Sequence, residues 1–181
     1  MNHVLKPIKE PFALEIGEIL TTYPQRNGYI LKLFRVFANS RRFLKKGVPN
    51  LLDRESPLSM REREIVILRV TANRNCEYEW GVHVGAFAEH VKFTPEQIRA
   101  TRLESANAPC WPPGEGFLIR VVDEICERAD LSGDTLEKFQ SAWSLDQQLE
   151  IIALCGAYHT ISFVANIARI EGEDFGAKFP V

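Results

Sequence analysis

The apolar positions of this chain recur at helical spacing almost throughout, and no run alternates apolar and polar residues over a convincing length. The pattern predicts helices with few or no strands. An amphipathic segment over 12–20 reads as the first helix. "YPQRNG", with Pro24 and Gly28, then breaks the chain. Residues 29–46, "YILKLFRVFANSRRFLKK", read as one helix with Ile30, Phe34 and Phe37 on a stripe, ended by Gly47 and Pro49. Three helix starts are marked by capping boxes: Ser59 with Glu62, Thr94 with Gln97, and Ser144 with Gln147. In each pair the two side chains satisfy one another's free backbone amides. They predict helices from 59 to about 73, over 95–104 with Pro95 at the first helical position, and over 145–171. Asn75 caps an intervening helix over 76–90. "SANAPCWPPGEGF" is a loop, followed by helices over 115–130 and 134–143, and Gly172 and a Pro-bearing tail close the chain.

These elements make an all-α bundle of six to eight helices. A length of 181 residues suits a single domain, with residues 1–28 as an N-terminal arm and 59–104 as the region richest in motifs. "EREIVILRV" at 62–70 is echoed by "QLEIIALCG" at 148–156, which aligns Glu64 with Glu150 and Leu68 with Leu154. The echo fails beyond that helix, as it does for two buried helices of similar patterning.

Composition narrows the function classes. Hydrophobic residues at 45% and charged residues at 25% are ordinary for a soluble globular protein. A net charge of −2 argues against a nucleic-acid partner, and the densest basic cluster, "RRFLKK" at 41–46, reads as a solvated helix face. No stretch approaches the ~20 apolar residues of a membrane span, and no apolar run follows the charges of the N-terminus as it does in a secretory signal. Cys76, Cys110, Cys126 and Cys155 show neither C-x-x-C nor zinc-finger spacing and are too sparse for a disulfide scaffold. A reduced, cytoplasmic protein is expected. His3 and His90 read as surface residues, and Trp111 as a loop aromatic that covers a pocket or plugs the bundle.

The chemistry concentrates in "NCEYEWGVHVGAFAEH", residues 75–90. On a helix, Cys76, Glu79, Trp80 and His83 share a face that continues to Phe87 and His90, because residues three and four apart are neighbours. That stripe is too ionisable for a core and too aromatic for a solvated face. Glu79 and His83 stand one turn apart and can hydrogen-bond. Glu64, on the preceding helix among Met60, Ile65 and Leu68, needs a partner if it faces the core, because an unpaired buried charge is costly. An apolar wall beside a carboxylate and an imidazole tunes both for proton transfer. A metal held by Glu79, His83 and His90 is a rival, opposed by the two turns between the histidines, about 10 Å. Neither metal nor cofactor is expected.

The segment 59–98, with "REREIVILRV", "NCEYEWGVH" and "FTPEQI", resembles the carboxymuconolactone decarboxylase family, which includes the AhpD-like alkylhydroperoxidases. More loosely, "LFRVFANSRRFL" looks like the family's lead-in helix and "LEIIALCGAYHTISFVANIARIE" like its closing helix. The resemblance implies an AhpD-like bundle assembled as a trimer or hexamer. Its peroxidase branch uses a C-x-x-C pair, a glutamate twelve residues before the first cysteine and a histidine four after the second. Glu64, Cys76 and His83 keep that spacing, but the second cysteine position holds Glu79. The disulfide cycle of a two-cysteine peroxidase therefore lacks its nearby resolving thiol. The resemblance is to the decarboxylase branch instead. It implies His83 as the main proton-transfer residue, Glu79 orienting it, Glu64 as relay or polar anchor, Tyr78 and Trp80 shaping the pocket, and Tyr158 and His159 contributing to its wall.

Three readings stay open. One is an acid–base enzyme acting on a small carboxylated or lactone-like substrate. The second is a peroxidase-like protein working through Cys76 alone. The third is a non-catalytic oligomeric binding protein.

Overall fold

The computed structural model describes residues 4–181, so His3 lies outside the described residues. Among them are nine α-helices and one two-stranded ribbon: α1 (Leu14–Leu20), β1 (Gln25–Arg26), β2 (Tyr29–Ile30), α2 (Lys32–Phe37), α3 (Arg41–Lys46), α4 (Met60–Asn73), α5 (Glu77–Phe87), α6 (Pro95–Leu103), α7 (Pro113–Arg128), α8 (Gly133–Ala142) and α9 (Leu145–Ile167). The fold is all-α. All three capping boxes form, at Ser59, Thr94 and Ser144.

The bundle has nine helices among the described residues where six to eight were expected, and the chain departs from the sequence pattern in three further places. The expected helix over 29–46 is two helices. Ser40 is extended, and its hydroxyl accepts from the Phe43 amide, while the Asn39 side chain donates to the Val36 carbonyl. Polar side chains that bond the local backbone stop one helix and start the next. The break at "YPQRNG" is a hairpin pairing Gln25 with Ile30 and Arg26 with Tyr29. Asn27 and Gly28 both have positive φ, as a two-residue hairpin turn demands. Strands of two residues are too short to show alternation. Finally, α9 ends at Ile167, four residues earlier than expected, and Arg169 takes a left-handed conformation.

The central element is α4, buried continuously from Arg63 to Ala72, with α5, α6, α7 and α9 packed around it. Its charged residues are partnered. Arg61 pairs with Glu115 of α7, Arg69 takes Asp123 of α7 through both Nε and Nη2, and Arg63 donates to the Asp53 carbonyl. These bonds fix how α4 is rotated, which turns Glu64 towards α5.

After α9 the tail crosses back over α5. The Ala177 amide donates to the Gly81 carbonyl at 3.0 Å. A Cβ on Gly81 would lie 2.1 Å from the Ala177 oxygen, and one on Gly85 would lie 2.2 Å from the Phe175 oxygen. Two glycines one turn apart therefore let the tail lie directly on the helix. Glu173 anchors it, accepting from the Tyr78 hydroxyl, the Lys32 amide and the Tyr29 hydroxyl.

With 23 residues and a window of mean hydropathy 1.3, α9 is long and apolar enough to cross a membrane by length and composition, contrary to the reading that no such stretch exists. In the fold its inner face is core, with Ile151, Leu154, Tyr158 and Ala165 buried.

Candidate active site

Glu64, Glu79, His83 and Tyr158 meet where α4, α5 and α9 converge. His83 Nδ1 lies 2.8 Å from Glu64 Oε2. On its other side, Nε2 lies 3.1 Å from the Tyr158 hydroxyl and 3.5 Å from Glu79 Oε1. All four side chains are buried. Burial acts to lower the His83 pKa, but the charge and hydrogen bond of Glu64, with those of Glu79, outweigh it and raise the pKa to about 10. His83 is thus an imidazolium at neutral pH, with both ring nitrogens donating. Burial, then the carboxylates of Glu79 and Glu64, push Tyr158 well above the ordinary phenol range, so it keeps its proton. Glu79 Oε2 is the unusual atom: it is buried and has no hydrogen-bond partner.

Glu79, His83 and Tyr158 line a cavity of about 760 Å³. The rest of its wall is largely apolar. α1 contributes Ile19, α2 contributes Phe34 and Phe37, α3 contributes Leu44, the following loop contributes Leu51, α5 contributes Phe87, and the tail contributes Phe175. Two cations, Arg26 and Lys45, also border it, and both are exposed. Glu64 is behind His83, outside the cavity wall.

Residues 46–119 match the model of the carboxymuconolactone decarboxylase family. Across this segment, less than half of the chain, the protein is similar to that family. Two solved structures share the fold. One is a protein of unknown function from Agrobacterium tumefaciens, proposed to be the antioxidant defence protein AhpD. It is 20% identical with a TM-score of 0.60, over 66% of this chain and 82% of that one. The other is the debrominase Bmp8 in its apo form, 12% identical with a TM-score of 0.77, over 96% and 94% of the two chains. No curated protein matches the sequence.

The family segment supplies Glu64, Glu79 and His83, whereas Tyr158 and much of the cavity wall lie outside it. The other residues of the α5 stripe turn elsewhere. Cys76 is fully buried at the helix N-cap, off the cavity wall, and burial first, with Glu79 adding, raises its thiol to about 11. Trp80 faces α6, donating from Nε1 to Thr101 Oγ1 at 2.9 Å and packing on Phe179. Tyr78 is a strut: its hydroxyl donates to Glu173 and accepts from the Leu33 amide. His159 points away from the cavity, with Nδ1 2.8 Å from the Cys155 carbonyl of its own helix and its ring against Phe163. His90 is exposed beyond the end of α5, and Trp111 plugs the bundle against Phe93.

Sequence reasoning missed two features. Glu173, three hydrogen bonds deep, has no local signal beyond a charge in a tail. The Cys126 and Cys155 side chains, from α7 and α9, are neighbours that influence each other's titration although they are distant in sequence. Glu150, the echo of Glu64, accepts from the Ser56 hydroxyl rather than facing a histidine.

Proposed function

We propose that this protein is a cofactor-free acid–base enzyme of the carboxymuconolactone decarboxylase type, acting on a small lactone-like or otherwise carbonyl-bearing substrate held in the apolar cavity. One observation carries the reading. Glu79 lines a cavity large enough for a small molecule, and one of its carboxylate oxygens, Oε2, is buried with no protein partner. A carboxylate in that setting is a proton acceptor.

The roles follow from the geometry. Glu64 holds His83 through Nδ1 and keeps it charged. His83 then serves as a fixed positive charge behind Tyr158 and Glu79. With a pKa near 10 it is a poor base at neutral pH, so Glu79 is the group that takes the proton, and Tyr158 with His83 stabilises negative charge that develops on the substrate. This differs from the sequence expectation, in which Glu79 orients a proton-transferring His83.

The single-cysteine reading has less support, because a fully buried thiol raised to about 11 offers little thiolate. The scaffold reading is weighed down by the cavity itself, since a merely structural polar network has no need of one. The test is turnover of lactone acids and organic hydroperoxides by purified protein and its variants. Turnover of a lactone acid should fall at least about 100-fold in Glu79→Gln and persist in Cys76→Ser. Activity that survives Glu79→Gln within a few-fold, or that disappears in Cys76→Ser, would sink the assignment.

A further inference from the structure

We infer that the cavity takes a neutral, ring-sized, apolar ketone bearing an acidic C–H beside its carbonyl. The carbonyl oxygen sits on the Tyr158 hydroxyl and the adjacent carbon faces Glu79 Oε2. This rests on the acid–base part of the reading above, with Glu79 as proton acceptor, and not on decarboxylation, and it names the substrate class of that site.

The first argument is hydrogen-bond accounting. The doubly protonated His83 donates from Nδ1 to Glu64 and from Nε2 towards the Tyr158 oxygen. The Tyr158 proton is then left with no protein acceptor, while Glu79 Oε2 is left with no protein donor. The Tyr158 O–H, 3.1 Å from His83 Nε2, and the Glu79 carboxylate, whose Oε1 lies 3.5 Å from the same nitrogen, thus border one position. A ketone with an α-hydrogen is complementary to that pair: its oxygen accepts, and its acidic hydrogen lies on the neighbouring carbon.

The second argument is charge. Glu64 and Glu79 flank one imidazolium, so an anionic head group would meet two carboxylates and one cation at the buried end. Arg26 and Lys45 are exposed and give no buried partner there. A neutral head is therefore preferred. The third argument is the wall. A cavity of about 760 Å³ lined by Leu, Ile, Val and Phe gains its affinity from a body that covers those side chains, which a two- or three-carbon acid does not. Much of that wall lies outside residues 46–119, so the selection of the body is this chain's own rather than the matched segment's.

The chemistry balances without an oxidant or reductant. Glu79 takes the α-proton, and the C–H electron pair forms the carbon–carbon double bond. The carbonyl π pair moves onto oxygen, which is held by the Tyr158 O–H with the His83 charge behind it. The proton on Glu79 exchanges with solvent, and Glu79 then delivers a solvent-derived proton to carbon, a deuteron in deuterated buffer.

The probe is 2-tetralone in deuterated buffer, with α-deuterium incorporation read by NMR, alongside the affinities of 2-naphthol and 2-naphthoate. The wild-type protein should accelerate exchange over buffer, Glu79→Gln should return it to the buffer rate, and Tyr158→Phe should slow it by about 100-fold. 2-Naphthol should bind at least tenfold more tightly than 2-naphthoate. Matched melting temperatures show that the isosteric variants are folded. Exchange at the buffer rate with wild-type protein, or tighter binding of the naphthoate, overturns the ketone class. If lactone-acid turnover then still depends on Glu79, the acid–base reading survives alone. Exchange that continues unchanged in Glu79→Gln overturns both.

Discussion

His83 is the residue on which the network turns, because each ring nitrogen meets a different partner and both partners are buried. Removing the ring leaves Glu64 and Glu79 facing the interior without their cation, so His83→Gln should cost on the order of 3–5 kcal/mol of stability at neutral pH. The same ring predicts a pH dependence. Its folded pKa of about 10 lies above the ordinary value of 6.5. The stabilisation is therefore complete below about pH 6.5 and is lost as pH rises through 10, with a slope of at most about 1.4 kcal/mol per pH unit. Denaturant unfolding between pH 6 and 10 should show wild-type stability falling relative to His83→Gln. Parallel curves for the two proteins would contradict a charged, carboxylate-held imidazole.

At the scale of elements, α5 is set between two neighbours that constrain it differently. α4 presents Glu64 to one side of it, and the tail lies on Gly81 and Gly85 on another. In an isolated helix Gly→Ala stabilises by about 1 kcal/mol. At Gly81 the new Cβ would sit 2.1 Å from the Ala177 oxygen, a backbone atom that cannot step aside alone. Gly81→Ala should therefore lower stability by roughly 1–3 kcal/mol, or release the tail beyond residue 168 to proteolysis. A variant more stable than wild type with its tail still protected would show that the close approach is not needed. The rotation of α5 also explains why the stripe read from the sequence divides. At about 100° per residue, Glu79 and Trp80 fall on either side of His83. One helix face therefore supplies Glu79 to the cavity while Trp80 reaches Thr101 on α6.

At the scale of the whole molecule, α9 divides the same way. Its inner face gives Tyr158 to the site, and its outer face leaves Leu145, Leu149, Ile152, Phe163 and Ile167 exposed. These recur at three- and four-residue intervals with Gly156 and Thr160 between them, the spacing of a helix that packs along its length on another. The expected occupant is the same helix of a second copy. Wild-type protein should sediment as an oligomer, and Ile152→Glu with Phe163→Glu should yield monomer. Wild-type protein that sediments as a monomer at high micromolar concentration would dispose of this expectation.

The helices were legible in the sequence because their signals are local: three capping boxes, Pro95 at a first turn, and apolar spacing along α4 and α9. The pairing of Glu79 with His83 was legible for the same reason, since residues four apart on a helix must be neighbours. The unmet need of Glu64 for a partner was legible as well, but not the partner. Only the tertiary structure decided that Glu64 takes Nδ1 of His83, that Tyr158 closes on Nε2, and that Cys76 and Trp80 turn away from the cavity. Those outcomes depend on how each helix is rotated against the others. That rotation is fixed by contacts between residues far apart in the chain, such as Arg69 with Asp123 and the tail on Gly81, which no local period records.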